Sequence, residues 1–251
     1  MIELFNVLFY RPIFNLLVFL YNIVPGNDFG LAIIGLTVLI KIILYPFSLQ
    51  SIKLQKSLQS LQPKVEELKK RYSDQKEELA KALLKLYQRE KVNPLSSCLP
   101  LLIQFPFLIA IFQIFRSELK DENLNLLYSF VRNPGALNPI TFGLFDLARP
   151  VPILAVLAGV AQWIQTKMMV TKEPPKEIKG KEGTRDETVA AIISRQMTYL
   201  MPAMTIFIGF TLPGGLTLYW LVTTLLMILQ QKVYLGKTQN TLREIKSQSM
   251  Q

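Results

Sequence analysis

At 251 residues, half of them hydrophobic, with 28 Lys and Arg against 18 Asp and Glu, the chain is long enough for one large domain and carries a basic excess that suits an anionic surface or partner. It has one cysteine, Cys98, and no histidine, which excludes an intrachain disulfide, an ordinary zinc site and every Ser–His or Cys–His catalytic arrangement. Mean hydropathy is +0.29, and apolar residues fall in blocks approaching about 20, apart from the charges, the pattern of membrane-spanning helices and not of a soluble domain.

Residues 1–28 hold an apolar run, ELFNVLFYRPIFNLLVFLYNIV, interrupted by Asn6, Arg11, Pro12 and Asn15, and then a Pro25-Gly26-Asn27-Asp28 turn. It has neither the basic start nor the small-residue cleavage site of a secretory signal. The interruptions predict an amphipathic helix in the membrane interface, bent near Pro12, with a sixth span as the alternative. The first span is 29–49. Residues 50–92 are strongly charged, yet Val65, Leu68 and Tyr72, then Leu79, Leu83 and Leu86, recur at helical spacing. Ser73-Asp74 divides the two stretches and is placed to cap the second, so this region reads as a solvent-exposed helical hairpin.

The second span, 93–116, opens with Asn93-Pro94. An external segment, 117–150, carries the breakers Asn133-Pro134-Gly135 and Arg149-Pro150. The third span is 151–169. Residues 170–195 are polar, contain Glu173-Pro174-Pro175 and read as a flexible loop. The fourth span is 196–212, the fifth 213–235, opening at Pro213-Gly214-Gly215, and residues 236–251 are a short basic tail. The fold class is therefore all-α: a polytopic membrane protein of five transmembrane helices, with an N-terminal interfacial amphipathic helix and a cytoplasmic helical hairpin. Pro46, Pro100, Pro106 and Pro202 either kink their spans or only shape packing.

Five spans put the hairpin, the 170–195 loop and the tail on one side. That side holds the great majority of the basic residues, while Arg11, Arg116, Lys120, Arg132 and Arg149 fall on the other. The N-terminus is thus expected outside and the C-terminus in the cytoplasm. The basic excess is then mostly topological, and no direct nucleic-acid binding is expected.

Lys41 stands inside LTVLIKIILYPF, residues 36–47, nine residues before Gln50. That places it roughly 13 Å from the cytoplasmic end of its span. A lysine reaches about 6 Å, too short to snorkel fully from there. At the centre of a lone helix its charge costs on the order of 3 kcal/mol or more, so it is expected to face a wet cavity among the helices. Thr37, Lys41, Tyr45 and Ser48 form one helical stripe. Further polar positions lie at Ser97 and Gln104 on the second span, at Gln162, Gln165 and Thr166 on the third, and at Thr217, Trp220, Thr224 and Gln231 on the fifth. No span carries an internal carboxylate. An unpaired cation in a hydrated groove suits an anionic visitor; the blander reading is a lysine held by backbone carbonyls and glutamines as helix glue.

The segments LTVLIKIILYPFSLQSIKLQKSLQSLQPK at 36–64, LYQREKVNPLSSCLPLLIQFPFLIAIF at 86–112, PILAVLAGVAQWIQTKM at 152–168 and MPAMTIFIGFTLPGGLTLYWLVTTLLMILQQ at 201–231, in that order and spacing, resemble the YidC/Oxa/Alb family of membrane protein insertases. The resemblance covers residues 2 to 235 or so and points to the shorter, five-span bacterial or plastid type. It implies a five-helix core around a hydrophilic groove open to the cytoplasm and to lipid. It places Lys41 at the family's groove charge, where many bacterial members have arginine; lysine keeps the charge and loses the planar five-donor fork.

The resemblance implies an insertase and not an enzyme. It needs no covalent chemistry, cofactor or metal. Nascent membrane proteins are the clients, in the bacterial cytoplasmic membrane, or the thylakoid membrane of a plastid. The Sec translocon, the ribosome and the signal-recognition receptor are candidate partners. Lys41, Thr37, Tyr45, Gln104, Gln162, Gln165, Trp220 and Thr224 are the groove residues expected to meet the client. For Gln104 and Gln162 the blander role is an interhelical hydrogen bond, and for Trp220 an interfacial anchor. A small transporter or anion channel with Lys41 in its pathway is the alternative from another class; a folding chaperone without insertion activity is a third.

Overall fold

The computed structural model describes residues 2–72, 75–93, 99–116, 126–169 and 199–248, and the chain in it is largely helical. The N-terminal stretch runs as α1 (Ile2–Phe5), a π-helical turn (Asn6–Tyr10) and α2 (Arg11–Ile23). The irregularity precedes Pro12 instead of following it. Proline lacks an N–H, and the widened turn lets the Arg11 N–H reach back to the Asn6 carbonyl.

This stretch has one exposed face and one buried face. Its outward side presents Leu4, Val7, Leu8, Phe19 and Ile23, while Ile13, Phe14, Leu17, Val18 and Tyr21 are buried against the bundle. Asn15, read as an interruption, is buried too. Its amide donates to the carbonyls of Arg11 and Leu126, and its oxygen accepts from the Tyr128 N–H. Arg11 stacks over the Tyr128 ring and donates to the Leu126 carbonyl. These polar residues bind the segment 126–132, so their presence does not mark a water-facing side. The stretch Glu3–Ile23 is long and apolar enough to cross a membrane.

After the turn, Asp28 caps α3 (Phe29–Ile43) by accepting from the Leu31 N–H. The span expected at 29–49 breaks at Leu44, where α4 (Tyr45–Ser60) begins, and the helical stretch Tyr45–Arg71 leaves at an angle of 68°. Pro46 supplies the cause, since it cannot donate to Ile42 and its ring crowds that carbonyl. The stripe from Thr37 to Ser48 is therefore divided between two helices.

The charged region continues as α5 (Gln62–Arg71) and α6 (Lys76–Arg89), which pack on each other and are bridged by Lys64 and Glu90 at 2.5 Å. The hydrogen bond from Lys64 and its charge hold the Glu90 carboxyl below its usual range. The Ser73-Asp74 cap lies outside the described residues; α6 begins after Gln75 without a side-chain cap. Helix α7 (Leu99–Arg116) stays continuous through Pro106.

Within the segment expected outside, the chain forms a β-hairpin absent from the all-α expectation. β1 (Ile140–Thr141) pairs antiparallel with β2 (Phe145–Asp146), Ile140 facing Asp146 and Thr141 facing Phe145. Two residues per strand are too few for an alternation to be read in sequence. Then come α8 (Pro152–Met169), α9 (Met201–Gly209) and α10 (Gly214–Gln248). The 170–195 loop lies outside the described residues. Of the expected span 196–212, residues 196–198 lie outside the described residues, a π-helical turn at 199–200 leads into α9, and the helix ends before 212; α10 runs unbroken into the expected tail as far as Gln248.

Helix α8 packs against both α9 and α10, and α10 packs against α3. Glycines permit several close approaches, the two tightest at Gly215 and Gly30. A Cβ on Gly215 would lie 1.8 Å from the Phe115 ring, and one on Gly30 would lie 2.1 Å from Thr141 Oγ1. Among the described residues two helical stretches, Glu3–Ile23 and Gly214–Tyr234, are long and apolar enough to span, or three if the bent α3–α4 pair counts as one; Leu102–Arg116 is a shorter apolar helix.

Candidate functional site

Lys41 sits in the last turn of α3, 8% exposed. It opens on a cavity of about 280 Å³ between α3, the start of α4 and α10, walled by Val38, Ile42, Tyr45, Leu226, Leu229 and Gln230. Among the described residues no carboxylate pairs with its ammonium group and no side chain hydrogen-bonds to it. The buried polar atoms that lack a partner include Ser51 Oγ, Gln55 Oε1 and both amide atoms of Gln231, and Lys41 Nζ is not among them. Its place at the C-terminal end of α3 is electrostatically favourable, because the last carbonyls of a helix carry partial negative charge.

The expected groove residues are distributed unevenly around this point. Tyr45 lines the cavity with Lys41 and is partly exposed. Thr37 is fully buried, and its hydroxyl donates to the Ile33 carbonyl one turn back, at 2.6 Å. Thr224 does the same toward the Trp220 carbonyl at 2.9 Å. Gln104 donates to the buried Tyr219 hydroxyl, joining α7 to α10. Gln162 accepts from the Thr205 hydroxyl, joining α8 to α9. Gln165 and Trp220 are half-buried on α8 and α10. Ser97 lies outside the described residues.

The wall around Lys41 is therefore chiefly aliphatic, with Lys41, Tyr45 and Gln230 as its polar groups. Gln230 was missed by the sequence reading. It accepts from the Ser48 hydroxyl at 2.6 Å and thereby ties α4 to α10 beside the cavity. The Gln230-Gln231 pair at the end of an apolar run was its available signal, but a stripe drawn through Gln231 turns Gln230 away. Chemically the site offers one cation, one phenol, one amide and a greasy surface. It can attract an anion and hold an apolar segment, and it presents no nucleophile with a base. No group of three His, Cys, Asp or Glu is gathered for a metal among the described residues.

Comparison with known proteins adds to this geometry. The family model described as "60Kd inner membrane protein" matches residues 19–241. A protein from Fusobacterium nucleatum subsp. nucleatum named "Membrane protein insertase YidC" is 34% identical over 230 residues, 91% of this chain and 97% of the relative. A protein of the same name from Geobacter sulfurreducens is 32% identical over 235 residues, 92% of this chain and 38% of the relative. One from Haemophilus influenzae is 31% identical over 227 residues, 90% of this chain and 36% of the relative. The chain thus spans nearly the whole of the first relative and little more than a third of the other two.

Proposed function

Because the chain belongs to the 60Kd inner membrane protein family, the YidC/Oxa/Alb insertases, we propose that it inserts nascent membrane proteins into a bacterial membrane by way of the cavity that holds Lys41. The observation that carries this reading is a nearly buried, uncompensated ammonium group at the edge of an aliphatic cavity. A client must move a short polar segment, often acidic, across an apolar barrier. Lys41 attracts its carboxylates at a depth where the surrounding dielectric is low and the Coulomb pull exceeds that in bulk water. Val38, Ile42, Leu226 and Leu229 then offer apolar contact to the client helix, which leaves sideways into lipid, driven by hydrophobic transfer.

In this reading α3, α7, α8, α9 and α10 are the five spans, α1–α2 lies beside them, and α5–α6 and the end of α10 are cytoplasmic, with the N-terminus outside. Gln104, Gln162, Gln165 and Trp220, all half-buried, contact the client as it passes, while the buried Thr37 and Thr224 shape the helices behind them. The hairpin recruits clients and is the docking element for the Sec translocon or the signal-recognition receptor. The ribosome delivers the chain. No step is covalent and none uses a nucleotide.

The test is protease protection of an acidic-tailed client in proteoliposomes. Lys41→Glu is expected to abolish protection of the client's translocated tail, and Lys41→Arg to keep it. Normal insertion by a folded Lys41→Glu protein would overturn the charge mechanism. Anion flux through sealed vesicles at transporter rates, without insertion, would favour the channel reading instead.

A further inference from the structure

The hairpin end of the bundle has features that the insertion mechanism leaves unused. Phe130 is 75% exposed, and at the hairpin turn Leu144 is 78% exposed and Phe142 is exposed as well. Phe142 has a φ of +51° and Gly143 of +67°, so the turn holds a bulky aromatic where Gly or Asn would sit without strain. Close by, α8 begins, and its exposed Ile153, Val156, Leu157, Val160 and Ile164 form one apolar stripe at helical spacing. An open depression of about 550 Å³, walled by Leu144, Phe145, Asp146, Arg149 and Ile153 among others, joins the turn to the head of that stripe. At its rim the Arg149 side chain is strongly exposed and meets Asp146 through one contact of 3.4 Å, which leaves most of its guanidinium donors open. The Arg149 carbonyl accepts from the Gly214 N–H, which fixes the rim to the start of α10.

We propose that this corner is a phospholipid seat: Phe142 and Leu144 enter the boundary between headgroups and acyl chains, one acyl chain lies along the α8 stripe, and the lipid phosphate pairs with Arg149. The apolar surface of the turn is continuous with the exposed apolar stripe of α8, Phe and Leu suit the boundary between headgroups and acyl chains, and an exposed guanidinium matches a phosphate bidentately. The inference rests on α8 crossing the bilayer, and it is independent of insertion activity.

A nitroxide at Leu144→Cys in a Cys98→Ser background, where it labels the only cysteine, tests the depth of the turn. The purified full chain is placed in vesicles of phosphatidylcholine and phosphatidylglycerol, with Val160→Cys as a second label. Both labels should collide with oxygen severalfold more often than with a water-soluble nickel chelate. A label at 144 that favours nickel while the label at 160 favours oxygen overturns the seat. Nickel favoured at both overturns the spanning of α8 and the seat with it.

For the phosphate contact, phosphatidylglycerol added to the detergent-solubilised protein should raise Tm by several degrees, and Arg149→Gln should lose at least half of that rise. An equal rise in Arg149→Gln overturns the pairing. A comparable rise with inorganic phosphate alone would mean a free-phosphate site and would overturn the lipid assignment.

Discussion

Helix α3 carries a charge at each end, and the two are treated in opposite ways. At its start, Asp28 accepts from the Leu31 N–H at 2.9 Å, the Thr141 hydroxyl at 2.5 Å and the Phe142 N–H at 2.5 Å. Burial opposes its ionised form, but these hydrogen bonds, with one from the Gly30 backbone, hold its carboxyl below the ordinary value of 3.8. At the other end, Lys41 has the dipole of its own helix and no ion partner among the described residues. A charge whose hydrogen bonds are complete serves the fold. A charge left incomplete in an apolar wall lowers stability, and in the proposed reading it serves what it attracts.

Four measurements break or sharpen that contrast. The largest effect is on insertion: Lys41→Glu should reduce client protection at least tenfold while thermal unfolding in detergent changes little, and Lys41→Leu should leave the protein as stable or more stable. A marked loss of stability in Lys41→Leu would make Lys41 a structural charge like Asp28. Next, Gly30→Ala drives a methyl into Thr141 and so dislodges the Asp28 node; overpacking of this kind costs about 1–3 kcal/mol, read from denaturant unfolding.

Smaller still, Asp28→Ala removes the cap of α3 together with its bonds to the Thr141 hydroxyl and the Phe142 N–H, costing about 2 kcal/mol, the upper end for a cap, and leaves insertion per folded molecule unchanged. Its pH dependence has a definite sign. The folded-state value is lowered, so the stabilisation is fully present above 3.8 and is lost as pH falls through the lower folded value; Asp28→Asn should flatten unfolding curves in that acid window and nowhere near neutrality. The smallest effect belongs to Ser48→Ala, which removes the hydroxyl bonded to Gln230 and should cost about 0.5–1.5 kcal/mol, measured as a shift in detergent unfolding.

The membrane character and the helices α5 and α6 were legible because each rests on a local pattern: apolar blocks, and a 3.6 period within a charged stretch. Pro46 announced a kink, yet a span drawn by hydropathy alone ran through it to residue 49. The polar stripes were legible as stripes, but their targets were not. Thr37 and Thr224 turn back on their own helices, and the partners of Gln104 and Gln162 lie 115 and 43 residues away. Nor does a single sequence reveal that Asn15 binds a strand of chain more than a hundred residues downstream. A polar residue in an apolar run says that something must satisfy it, and leaves open whether that is water, lipid headgroup or the protein itself.

Helix α10 is one uninterrupted rod of 35 residues. At 1.5 Å per residue it measures about 52 Å, against roughly 30 Å for a hydrocarbon layer, so a single crossing would leave close to 20 Å of it outside the oily layer. Leu226, Leu229 and Gln230 belong to the same rod. Leverage applied at its far tip therefore arrives at the chamber beside Lys41 without an intervening joint, and a glycine pair cut into residues 235–240 would disconnect the two.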